Sequence, residues 1–197
     1  GTVSIGAQTA NSDPNNIAIG NRATTAGANG ITIGEGVGLA GGANVTVVGQ
    51  GATSGGANTT AVGQSANAGG LGSTAVGFSA DAQGANSFSG GDSTAVGANS
   101  VAVGIASQAR TADSVAIGNG AIAQGGAAVS IGLENIATGN GAVAIGDPNI
   151  ATGTGAVAVG ADNNAIGSGT VAIGQPNKAA HNGAVAWRQS CESHGAR

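Results

Sequence analysis

The chain has 197 residues, of which 40 are Gly and only 2% are aromatic, so a conventional globular core built around large rings is excluded, and most enzyme architectures with it. Charged residues make up 7% and hydrophobic residues 41%, with a mean hydropathy of +0.17, a balance that favours folding over disorder. The formal net charge of -4 offers no electrostatic footprint for nucleic acid or an anionic membrane surface.

From the first residues onward a tetrapeptide of the form branched-small-branched-Gly recurs. It stands at residues 3–6, 17–20, 31–34, 60–63 and 74–77, and again at 101–104, 115–118, 129–132, 143–146, 157–160 and 171–174. Successive motif glycines are fourteen residues apart nearly everywhere. One step, from Gly34 to Gly49, is fifteen, and the extra residue is expected in a turn. Between Gly77 and Gly104 lie Phe88-Ser89-Gly90-Gly91 and Thr94-Ala95-Val96-Gly97, which predict an irregular coil at about 85–100 that protrudes or widens, with Phe88 expected to plug the enlarged core in preference to sitting in a contact site.

After each motif comes a second short apolar element, such as Ala121-Ile122-Ala123, Asn135-Ile136-Ala137 and Asn149-Ile150-Ala151. Abundant Gly, β-branched residues and a spacing of two all oppose helix. Short strands at a fixed fourteen-residue period describe an all-β solenoid with two strands per coil, equivalent strands stacking in parallel. Thirteen or so coils at ~4.8 Å each give a rod about 60 Å long.

Alternation along a strand separates Val143 and Ile145 from Ala144. The branched pairs Val115 and Ile117, Val143 and Ile145, and Val157 and Val159 are assigned to the coil core. The column of Ala102, Ala116, Ser130, Ala144, Ala158 and Ala172 is assigned to the outside, where its restriction to small residues predicts a close-packed subunit interface in a symmetric homo-oligomer. Dimer and trimer are equivalent on this pattern. Across the coil, Ala109, Ala123, Ala137, Ala151 and their equivalents fit a narrow interior. In the second strand, Ile122, Ile136 and Ile150 stack on consecutive coils and point outward as an apolar stripe, expected to contact a partner, a neighbouring subunit in preference to a host ligand.

The units Asn99-Ser100-Val101-Ala102-Val103-Gly104 and Asp113-Ser114-Val115-Ala116-Ile117-Gly118, followed by Ala121-Ile122-Ala123-Gln124-Gly125, resemble the head repeat of YadA-like trimeric autotransporter adhesins, over residues 1–187. The resemblance implies a left-handed parallel β-roll, assembled as a homotrimer, exported by type V secretion and held at the outer membrane surface of a Gram-negative bacterium. It also implies a virulence-associated role in which the head binds host extracellular matrix or a cell-surface receptor. The neck, stalk and membrane anchor of such proteins are not recognised here, and Gly1 opens directly into patterned sequence, so the chain is expected to be an excised passenger fragment without membrane insertion of its own. Residues 188–197 leave the repeat and read as foreign sequence or as a native cap.

Candidate chemistry is sparse. His181 and His194 are the only histidines and Cys191 the only cysteine, so no metal site, nucleophile or cofactor is expected. Glu134, Asp147, Asp162 and the other acids are read as solvated turn residues in separate columns. The expected function is a non-catalytic adhesive rod. A spacer rod, a β-solenoid enzyme and an ice-binding protein are the alternatives; the enzyme would need clustered acids or histidines, and the ice-binder a regular Thr ladder, whereas Thr24, Thr53, Thr138 and Thr152 are scattered.

Overall fold

A computed structural model describes residues 1–39 and 42–188. The described chain is a parallel β-solenoid of about thirteen coils without a helix. Each coil contributes a first strand, as in Val115–Ile117, and a second, as in Ile122–Gln124. First strands pair only with first strands and second with second, always in parallel. The register follows the repeat: Val115 pairs with Val129, Ala116 with Ser130 and Ile117 with Ile131 on one wall, and Ile122 with Ile136 on the other.

The two departures from fourteen are absorbed differently. Ile33 pairs with Val48 and Leu39 with Ser54, both fifteen apart, whereas Asn44 bonds to Asn58 at fourteen, so the added residue falls between Leu39 and Gly42 in the second turn. In the other region no coil protrudes. Val76 pairs with Gly90 and Gly90 with Val103, so the interval holds one full coil and one shortened to thirteen residues. The missing residue comes from the first turn, where Gly91-Asp92-Ser93 does the work of four residues elsewhere. Phe88 is not a plug: it is 38% exposed on the outer face of the first strand. Its ring lies over Gly90, where an added Cβ would come within 3.1 Å of the Phe88 ring edge.

The interior consists of four inward positions per coil, represented by Ala142, Ala144, Asn149 and Ala151, all fully buried. The buried residues at such positions are Ala, Ser, Thr and Asn, together with Val37, Val45 and Val47, and the walls are close enough for opposing hydroxyls to meet directly. Thr25 and Thr32 hydrogen-bond at 2.6 Å and Ser54 and Thr59 at 2.5 Å. In the shortened coil the Ser89 hydroxyl donates to the Ser93 carbonyl at 2.8 Å, and the Ser93 hydroxyl to the Ala102 carbonyl at 3.0 Å.

The first turn requires glycine on two grounds. Gly146 has φ +123°, and a Cβ there would lie 1.8 Å from the Gly160 carbonyl oxygen of the next coil. In the second turn the left-handed residue is often Asn, which tolerates that conformation. Asn29 at φ 62° and Asn44 at φ 58° are joined by an amide-to-amide hydrogen bond of 3.1 Å, which staples the turns together outside the coil.

Candidate interaction surfaces

The structure reverses the inside and outside of the first strand. Ala102, Ala116, Ser130, Ala144, Ala158 and Ala172 are fully buried within a single chain and line its interior. They cannot form a subunit interface. The residues assigned to the core, Val115, Ile117, Val143, Ile145, Val157 and Val159, face outward: Ile145 is 36% exposed and the others are half-buried or exposed. Alternation is obeyed in opposite phase. The roll is narrow, the facing wall presents the Ala109, Ala123, Ala137 and Ala151 column, and in these coils the space between is filled by the smaller residue of each strand, whereas an earlier coil encloses Val45 and Val47.

The outer face of the first wall is therefore apolar along almost its whole length. One column, with Ile19, Ile33, Val48, Val62, Val76 and Ile117, is apolar but for Gly90, and the other runs from Ile17 and Ile31 through Thr46, Thr60 and Thr74 to Phe88, Val101, Val115, Val129 and Val143. A continuous apolar sheet face of this extent is the signature of a surface covered by another molecule.

The second wall is different. Its outward column is polar over most of the rod, with Thr24, Thr53, Asn67, Asp81 and Gln108, and turns apolar only at Ile122, Ile136 and Ile150. Ile122 and Ile136 are half-buried and Ile150 is 40% exposed. Beyond them the column continues with Asn164 and Lys178.

Behind this stripe is a buried ladder that the sequence reading missed, although Asn135, Asn149, Asn163 and Asn177 recur at fourteen residues. Asn149 donates to the Oδ1 of Asn135 at 3.0 Å, Asn163 to Asn149 at 2.9 Å and Asn177 to Asn163 at 3.1 Å. Each amide also reaches main-chain carbonyls, as Asn149 does to Ile145 at 3.0 Å and Gly160 at 2.8 Å. The ladder rigidifies the coils that carry the stripe, since every buried donor it holds is satisfied.

The acids are not all in separate columns. Glu134 and Asp162 occupy the same step of the first turn, two coils apart, with Pro148 between them. With Ile136, Ile150 and Asn164 they line a groove on the second wall. Among the described residues no three His, Cys, Asp or Glu side chains converge. Residues 189–197, including Cys191 and His194, lie outside the described residues; Arg188 closes the last strand, Val185–Arg188, in register with Gly174, and Trp187 pairs with Ile173.

A narrow parallel solenoid with an apolar outer face and coils of about fourteen residues defines a repeat rod. The family model described as YadA head domain repeat (2 copies) matches residues 54–80, 89–102, 95–121, 123–147, 137–163, 151–175 and 165–186, together well over half of the chain. The chain belongs to this family and is a head domain of the YadA-like trimeric autotransporter adhesin type. No curated protein matches it.

Proposed function

We propose that the chain is the non-catalytic head of a surface adhesin, in which three copies pack through the Val and Ile columns of the first wall and present the second wall to host matrix or host cells. The observation that carries this reading is the apolar first-wall face, which runs past coil after coil while the opposite wall stays mostly polar. One thin coil has an interior of alanine-sized groups, so area buried between copies adds what a single roll lacks. Membership of the head-repeat family supports three copies and display at the outer surface of a Gram-negative bacterium.

The experiment is a binding assay with beads carrying the assembled head, applied to surfaces coated with host matrix proteins and to cultured host cells. Saturable retention that soluble head competes away supports adhesion. Retention no greater than that of uncoated beads, on every surface and cell type, replaces this reading with that of a spacer rod.

A further inference from the structure

On the second wall a groove of about 290 Å³ has Ile136 and Ile150 as its floor and Glu134, Pro148 and Asp162 along one edge. One position in the turn column along that edge departs from its neighbours. Glu134 and Asp162 adopt left-handed backbone, at φ 51° and 56°. The residue between them is Pro148, whose ring holds φ near about -65° and cannot follow. Residue 148 lies within the long strand Val143–Thr152, as Asp162 lies within Val157–Ile166, and the proline ring lines the groove between the two acids. The two carboxylates stand two coils apart, about 10 Å, on either side of that ring. Asn164 supplies the far wall, and its Oδ1 is buried without a donor among the described residues.

These groups specify an occupant. The floor is aliphatic, and the rim offers acceptors, the exposed carboxylates of Glu134 and Asp162. Asp147 adds a further negative charge beside Pro148, and the cation of the same column, Lys178, is exposed one coil beyond Asn164. An aliphatic stem ending in a charged donor matches this arrangement, whereas an acidic occupant meets like charge. The groove also lies on the wall opposite the Val and Ile columns, so it stays open when copies pack through that face.

We infer that this groove is a docking site for a lysine or arginine side chain of a protein partner, its stem on Ile136 and Ile150 and its head group at Glu134 or Asp162. The inference rests on the proposed use of the first wall for self-association. That assignment replaces a subunit contact for the isoleucine stripe: three apolar coils are a local patch, while the first wall offers a continuous one.

Isoleucine-methyl NMR of the whole chain, titrated at low salt with end-blocked Gly-Gly-Lys-Gly-Gly, tests it. Saturable shifts confined to Ile136 and Ile150 are expected, with the norleucine analogue of the peptide binding about tenfold more weakly. Glu134→Gln with Asp162→Asn is expected to bring lysine binding down to the norleucine level. Equal binding of both peptides, undiminished binding by the neutralised variant, or no shift at Ile136 and Ile150 overturns the proposal. Light scattering on the same samples reports self-association separately: Ile150→Asp is expected to leave the assembled mass unchanged, and a reduced mass assigns the groove to a second copy and overturns the proposal. A parent of monomer mass that still binds the lysine peptide selectively rejects the self-association reading while leaving the groove intact.

Discussion

Asn149 donates through its amide to the Oδ1 of Asn135, one coil away, at 3.0 Å, and both side chains are fully buried. The same Asn149 oxygen accepts from the Asn163 main-chain N–H at 3.1 Å and from the Asn163 amide at 2.9 Å. Asn149→Ala takes the Asn149 oxygen from the Asn163 main-chain N–H, while the Asn163 amide keeps the Val159 and Gly174 carbonyls at 3.1 and 2.7 Å, and the change is expected to cost about 2 kcal/mol. Thermal unfolding followed by circular dichroism is expected to show a lower midpoint. Hydrogen exchange is expected to rise first at Asn163, whose N–H loses its partner. An unchanged midpoint would mean that the ladder adds nothing to the coil.

The interior position of Ala144 has a direct consequence. Its neighbours on the wall are Ser130 and Ala158, themselves fully buried, and the facing Ala137 and Ala151 are fully buried as well. Ala144→Leu overfills the coil and is expected to destabilise the fold by about 3 kcal/mol. The loss is expected at every protein concentration, because it is suffered within one chain. A variant that melts normally but fails to assemble would restore the small-residue column to the outside.

Outward branched residues behave in the opposite way. Ile117 and Ile145 lie on the apolar face two coils apart, and changing both to Asp puts charge where copies are proposed to meet. Light scattering is expected to fall to the single-chain mass of 18.0 kDa, with the strand signal in far-ultraviolet circular dichroism retained. Assembly at the parental mass rules this face out as the contact.

For Phe88, exposure decides the expectation. The ring covers Gly90 from outside and fills no core cavity, so Phe88→Ala is expected to cost only about 1 kcal/mol in stability. Ser89, by contrast, is fully buried and donates to Ser93 while accepting from the Asp81 N–H at 3.0 Å. Ser89→Val is expected to lower the melting midpoint by more than Phe88→Ala. The reverse order would place the aromatic ring, and not the serine pair, at the centre of the shortened coil.

The coil length, strand order and parallel stacking were legible in the glycine spacing, since a period of fourteen with two apolar triplets leaves few other folds. The phase of the first strand was not. Alternation assigns Val143 and Ala144 to opposite faces but is silent on which face is enclosed, and a hydrophobicity rule places the larger residue inside. What decides is the distance between walls, and the clue was on the other strand: Ala137 and Ala151 facing inward mark a thin interior, which the smaller residue of each first strand fills. The groove was half legible. The Ile136 and Ile150 stripe followed from alternation, whereas its acidic rim required seeing that Glu134 and Asp162 share a column, twenty-eight residues apart, with Pro148 interrupting the turn between them.

The ladder hydrogen bonds of every coil run along the rod axis, perpendicular to the strands, and this gives the rod a mechanical character. Tension carried by the chain detaches the outermost coil from its neighbour, so resistance comes from one rung at a time. Each released coil exchanges a rise of about 4.8 Å for fourteen residues of extended chain, about 45 Å. Such a rod yields in steps and dissipates work while its remaining coils hold. The steps should be strongest between Asn135 and Asn177, where buried amides are clamped across each rung, and under load that segment is the last to let go.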